Sequence, residues 1–318
     1  MELIFNKIIV IMVSILLLGC DSKSKIANCL GYSDDDVVFI INADDVGMHK
    51  DIDLSVYELY KEGKIQSFSL MVPAPNFLSS AQFAIDNEIP VGIHLTLTNE
   101  WQELNRWSPV LSKLEVPSLY NHAGLMWASN KELYDNAEIN EMEKEIEAQI
   151  KKALDLGLNV SHLDFHMVFW LMSEDYVNMI FGISKEYKIP IVTQLYHLNQ
   201  EEQKKISSEI YDDKILSSDV YWMYYNPDVR IENSEVGYHL YNNMFRFAKP
   251  GLHHVAIHPS FLTAETQLSL KDADFRFDEY KIWIGNRLNE TIKNNDIKFT
   301  NYGKMKNVMS GNVACVMD

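Results

Sequence analysis

Two hydrophobic periods alternate along the chain. Short apolar runs or strict apolar–polar alternation mark strands, and apolar residues three or four apart mark the helices between them. Val37-Val38-Phe39-Ile40-Ile41 is an unbroken apolar run rich in β-branched residues, which fits a strand covered on both faces. It runs into Asn42-Ala43-Asp44-Asp45-Val46-Gly47, so a buried strand carries two adjacent carboxylates to its carboxyl end, where Gly47 lets the backbone turn sharply. A helix is expected over 51–62, with Ile52, Val56, Leu59 and Tyr60 on one face and a stop at Gly63. A strand over 65–72 and a helix over 77–87 follow. From 91 to 98 the alternation is strict: Val91, Ile93, Leu95 and Leu97 share one face, and Gly92, His94, Thr96 and Thr98 share the other.

Between 99 and 135 periodicity is lost, and Trp101, Trp107, Tyr120, Trp127 and Tyr134 stand in the gap. A long irregular insertion is a functional loop or lid, or its aromatics pin it to the body. Regularity returns with a helix over 138–157, a strand over 160–167, a helix capped by Ser173 that reaches Tyr187, and a short strand over 189–192. The pattern weakens over 194–230, apart from a strand over 220–224. A helix over 232–247, a strand over 252–258, a last helix over 278–294 and a closing strand over 297–300 complete the series. Strands alternating with helices imply an α/β domain with a mostly parallel sheet, open or closed into a barrel.

The two ends and the charge add to this. Lys7 precedes an apolar run that ends in Leu17-Leu18-Gly19-Cys20, so residues 1–20 read as a secretion signal of the lipoprotein type, with Cys20 as the lipid-bearing first residue of the mature chain. Residues 21–34 read as a tether, and 35–318 as a single domain. The expected location is outside the cytoplasm, anchored to a membrane by lipid. A net charge of -17 argues against nucleic acid as a partner. Cys29 and Cys315, one near each end, are compatible with a disulfide in that compartment without requiring one. The oligomeric state is left open, a homodimer included.

Chemistry concentrates at strand ends. Asp44-Asp45 alone also fits a solvated turn, because paired aspartates are common in loops. In His162-Leu163-Asp164-Phe165-His166, however, strand alternation puts His162, Asp164 and His166 on one face, and His94 holds a matching position on another strand. One carboxylate from Asp44-Asp45, with His94 and either His166 or His162, makes a three-ligand metal site that leaves positions open for water and substrate. The spare aspartate is free to act as a base, and His258, before Pro259, could supply an acid. The remaining histidines singled out, His122, His197, His239, His253 and His254, receive no task.

Asn42-Ala43-Asp44-Asp45-Val46-Gly47, Ser69-Leu70-Met71-Val72, Gly92-Ile93-His94-Leu95-Thr96-Leu97, His162-Leu163-Asp164-Phe165-His166 and Ile257-His258-Pro259 follow one another in an order that resembles the YdjC-like, or chitooligosaccharide deacetylase, family of carbohydrate deacetylases. The resemblance implies a distorted (β/α) barrel of the polysaccharide-deacetylase type. It implies one divalent cation, Zn2+ or Mg2+, on Asp45, His94 and His166, with Asp44 as base and His258 as acid. Asp164 would orient a histidine such as His162. Three departures stand out: Val46 for the usual Phe, Ser260 for a common Gly, and the apolar Met167-Val168-Phe169-Trp170 where further histidines often stand, which predicts a more apolar pocket. The implied reaction is hydrolysis of N-acetyl groups on amino-sugar oligosaccharides, with Trp101, Trp107 and Trp127 as candidates for stacking on sugar rings. The rivals are a metal-dependent esterase or amidohydrolase acting on another acylated glycan, and a lipid-anchored glycan-binding protein with a degenerate site.

Overall fold

The computed structural model describes residues 25–212, 214–228, 235–313 and 315; the signal expected over 1–20 lies outside them. Seven parallel strands form one sheet: β1 (Val37–Val46), β2 (Ser67–Leu70), β3 (Val91–Leu95), β4 (Val160–Phe165), β5 (Val220–Met223), β6 (Gly251–Ile257) and β7 (Lys298–Phe299). Their order is β4-β3-β2-β1-β6-β5. β1 also pairs with β7 at Val38 and Phe39, before β2 joins it at Asn42. Residues 190–192 close much of the remaining gap. Val192 N–H donates to the Leu163 carbonyl, Leu163 N–H to that of Pro190, and Ile191 N–H to that of Leu216, just before β5. The architecture is thus the expected distorted α/β barrel.

The two faces of the sheet have different chemistry. Phe39, Ile41, Ala43, Phe68, Leu70, Val91, Ile93, Leu163, Phe165, Val255 and Ile257 form the large core beneath the outer helices. The inner face holds a smaller cluster, Val38, Ile40, Leu252 and Ala256 with Val192, Leu216 and Tyr221, closed below by Tyr302 and Met305. Above that plug the inner positions turn polar: Asn42, Asp44, Ser69, His94 and Asp164 are all buried, while His162 and His254 are buried deeper, against Tyr302. An apolar outer face and a mixed inner face together explain why β1 reads as a continuous apolar run that ends in acids.

Several expectations are corrected. The last helix is Tyr302–Met309, beyond 278–294, and that earlier stretch is two helices, Ala273–Ile284 and Asn289–Asn294. Helices Asn130–Asn136 and Gln200–Asp212 occupy stretches where no period was visible, and β4 stops at Phe165 rather than 167. Residues 189–192 pair through a single parallel bridge, Leu163 with Ile191. Of the segment expected as a tether, Lys25–Cys29 is helical, and Ile26, Leu30 and Tyr32 pack on the inner cluster. Cys29 is joined to Cys315, with their Cα atoms 5.0 Å apart. Among the described residues no helix is long and apolar enough to cross a membrane.

Gly92 sits at the centre of β3, beside His162 of β4. A Cβ there would lie 2.4 Å from the His162 ring, which is fully buried and stacked on Tyr302 at 3.9 Å, so it has no room to retreat. Gly92→Ala is expected to cost about 2–3 kcal/mol through overpacking; denaturant midpoints measure this, and an unchanged midpoint would show that the ring can move.

The turn after β1 is fixed by Asp53, which accepts the Gly47 N–H at 2.7 Å and the Ser80 hydroxyl at 3.1 Å. Gly47 has φ +98, a conformation suited to glycine. Burial pushes the Asp53 carboxyl up from 3.8 to about 7. The native state therefore holds this proton more tightly than the unfolded chain. Its contribution to stability is complete below the unfolded value and is lost as pH rises through about 7. Asp53→Asn keeps both partners and removes the proton, so the wild type should lose more thermal stability than the variant between about pH 5 and pH 8. Parallel pH profiles for the two proteins would count against a buried titrating Asp53.

Candidate active site

The strand-end acids converge because β1 is irregular where they stand. Its pairing with β2 advances from Ala43↔Phe68 to Val46↔Leu70, so one extra residue bulges out of β1 at Asp44-Asp45, and Asp45 takes φ 64. Neighbouring strand residues normally point to opposite faces; the bulge turns both carboxylates toward the barrel mouth. There Asp45 Oδ1 lies 3.4 Å from His94 Nε2 and 3.3 Å from His166 Nδ1, all three residues being buried. The other Asp45 oxygen accepts from Arg276 at 2.8 Å. Arg276 Nε is held in turn by both Asp272 oxygens at 2.9 Å, and Tyr225 donates to Asp272 at 3.0 Å.

Each histidine offers one nitrogen to Asp45 and has the other against a carboxylate. His94 Nδ1 is 3.1 Å from Asp164 Oδ1, and His166 Nε2 is 2.9 and 3.0 Å from the two Glu100 oxygens. Asp164 is itself fixed by the Ser69 hydroxyl at 2.6 Å and the Asn42 amide at 3.1 Å; the same amide donates to Asp44 at 2.7 Å. The histidine that Asp164 orients is therefore His94. His162 Nε2 is 4.0 Å from Asp164, its Nδ1 faces the Ser161 hydroxyl, and its ring stacks on Tyr302.

Burial opposes charge throughout this cluster, and the neighbours decide the outcome. Arg276 and the two histidines overcome burial and hold Asp45 well below the usual carboxylate range. Burial works against charge on His94, but Asp164, Asp45 and Asp44 raise it well above an ordinary histidine. His166 is likewise raised to about 9 against its burial, by Glu100 and Asp45. Burial and the Asp164 charge push Asp44 up to about 8. His258 is lowered to about 4, chiefly by burial. It stands with Nε2 3.9 Å from Asp44 and Nδ1 3.9 Å from Glu279, which also accepts the His258 backbone N–H.

The donor set fits a divalent cation. For bonds of about 2.1 Å at near-tetrahedral angles, ligand atoms lie about 3.4 Å apart, the spacing of Asp45 Oδ1 from His94 Nε2 and His166 Nδ1. In both histidines the far nitrogen faces a carboxylate, which leaves the near nitrogen free to ligate.

Sequence reasoning placed Asp44, Asp45, His94, Asp164, His166 and His258 in the region that the structure assembles. It missed Glu100, Arg276, Asp272 and Glu279. The three tryptophans are built into the loop instead of lying open: Trp107 donates to the Thr98 carbonyl and Trp127 to that of Ser118, while Trp101 and Trp107 are buried. Trp101 lies near the site, with Arg276 6.0 Å from its ring centroid. The expected apolar wall after His166 is also smaller. Phe169 and Trp170 are buried in the outer core, so Met167 is the exposed apolar residue of that run. Met167 and Val168 both have positive φ, which is costly for a β-branched residue and marks a strained turn directly after His166.

An α/β barrel with such a site at the carboxyl ends of its strands is matched over residues 38–294 by the model of YdjC-like proteins, and the chain belongs to that family. It is 26% identical over 269 residues to a carbohydrate deacetylase of Thermoanaerobacter pseudethanolicus, spanning 84% of this chain and 98% of that one. It is 24% identical over 265 residues to a carbohydrate deacetylase of Enterococcus faecalis, spanning 83% and 96%. Among solved structures, an Enterococcus faecalis protein provisionally described as a cellobiose-phosphate cleavage protein superposes with a TM-score of 0.71 at 23% identity. That match covers 85% of this chain and 99% of the other, a likeness of fold.

Proposed function

We propose that this protein is a metal-dependent hydrolase that removes N-acetyl groups from amino-sugar oligosaccharides or related glycans. The reading is carried by the Asp45–His94–His166 donor set with Asp44 and His258 beside it, and is supported by similarity to carbohydrate deacetylases over 83–84% of this chain. A bound cation, Zn2+ or Mg2+, would polarise the acetyl carbonyl and acidify water. Its charge would also favour the ionised form of Asp44 that a base requires. Asp44 takes a proton from the attacking water as the new C–O bond forms. His258, which burial keeps neutral and whose Nε2 lies 3.9 Å from Asp44, takes over the proton that Asp44 received from water and passes it to the nitrogen as the C–N bond breaks, so acetate and a free amine leave. Arg276 keeps the second Asp45 oxygen occupied, so that Asp45 offers a single oxygen to the cation.

The test is acetate release from N-acetylglucosamine oligomers by protein lacking residues 1–20, with chelator and after addition of zinc, magnesium or cobalt. Release that chelator abolishes and metal restores is expected. Stoichiometric metal without release from any acetylated amino sugar would move the assignment to another acylated glycan. We further propose export and lipid attachment at Cys20, a reading with which the Cys29–Cys315 pair agrees, since such bonds persist in oxidising compartments. Metabolic labelling with a radioactive fatty acid checks it, and label retained in Cys20→Ser would rule it out.

A further inference from the structure

Glu100 opens the irregular stretch after β3, yet its carboxylate is placed firmly. The preceding residue, Asn99, donates its backbone N–H to the Trp127 carbonyl at 2.7 Å, and its side chain accepts the Trp101 N–H at 3.0 Å. Trp107 in turn bonds the Thr98 carbonyl at 2.9 Å. The chain on both sides of Glu100 is therefore held by bonds within the loop that follows β3. Both Glu100 oxygens meet one atom, His166 Nε2, and the side chain remains 25% exposed at the site mouth. His166 needs such a partner more than His94 does. His94 sits within β3, between bonded strands, whereas His166 follows the end of β4 and leads into the strained turn at Met167 and Val168.

We propose that Glu100 is the positioning residue of His166: by accepting the Nε2 proton from the loop side, it fixes the tautomer and ring orientation that turn Nδ1 toward Asp45, and so sets the affinity of the site for a divalent cation. The inference rests on the cation-site reading above. Asp164 does the same for His94 from within the sheet. The site is thus assembled from two carboxylate–histidine pairs, one on the rigid barrel and one completed by the loop.

The experiment is direct titration of the cation-free protein, lacking residues 1–20, with Zn2+, and visible spectroscopy of its Co2+ form. Glu100→Ala is expected to weaken zinc binding about 10- to 100-fold, the usual effect of removing a ligand's hydrogen-bond partner. Glu100→Gln, which keeps an acceptor, should weaken it less. Both should alter the Co2+ ligand-field bands while the thermal midpoint of the cation-free protein stays near wild type. Glu103→Gln, an exposed charge three residues on, should leave binding within about twofold. Wild-type protein that binds no zinc would overturn the cation-site reading itself. Wild-type protein that binds zinc while Glu100→Ala binds it equally, or loses no more than Glu103→Gln, would overturn the role of Glu100 alone.

Discussion

Asp44→Asn is expected to lower acetate release about 10²- to 10⁴-fold, the range associated with loss of a general base, while the protein still holds one divalent cation. The substitution is nearly isosteric. Asn at this position can still accept the Asn42 amide that Asp44 now receives at 2.7 Å, and it leaves the Asp45, His94 and His166 contacts untouched. Because burial already pushes Asp44 up to about 8, a neutral side chain removes no favourable charge from the cation-free fold, and thermal stability should hold or rise. Turnover and metal content therefore separate the roles of the two adjacent acids. Asp45→Asn should lose the cation and leave Arg276 facing a neutral amide in a buried site. Near-normal turnover by Asp44→Asn would sink its assignment as base.

The second large effect concerns stability. Cys29 and Cys315 are separated by 286 positions, nearly the whole described chain. In the loop-entropy account, cross-linking so long a loop stabilises the fold by about 5–6 kcal/mol. The double variant Cys29→Ser, Cys315→Ser should unfold at clearly lower denaturant than the oxidised wild type, and a reductant should bring the wild type down to meet it. The segment just after Cys29, where Leu30 and Tyr32 pack on the inner cluster, should lose hydrogen-exchange protection first. Matching midpoints for oxidised wild type and double variant would show that the pair is without consequence for folding.

What could be read from the sequence divides along physical lines. Val37–Ile41 and the alternation around His94 were legible, because each is a local pattern dictated by what its two faces touch. The acids and histidines were legible because strand ends gather them without any need to know the loops. Arg276 and Asp272 were not, since the helix Ala273–Ile284 interleaves Phe275, Phe277 and Tyr280 with Asp274, Arg276, Asp278 and Glu279 and shows no apolar stripe. Arg276 and Glu279 are buried against the site, and Asp278 is buried as well, not turned to solvent. Glu100 carries no signal of its own in an aperiodic loop. The helix Tyr302–Met309 is short and contains Gly303, so its task of closing the barrel floor with Tyr302 and Met305 is evident only from the packing. His162 was grouped with the reactive residues because alternation fixes the face a side chain occupies but not its depth along the strand; it lies deeper, against Tyr302.

The single extra residue in β1 also bears on how such a barrel can change over evolutionary time. Asp44 and Asp45 reach the same mouth because the pairing slips by one position between Ala43 and Val46. A one-codon deletion there would restore plain alternation, send one of two adjacent side chains to the helix side, and leave Val37–Ile41 paired with β6 as before. The scaffold and the loops around its mouth would survive the loss of chemistry. Descendants that have lost the chemistry but kept the fold are thus one short mutational step from an active ancestor, and the length of this strand is the character by which to tell the two apart.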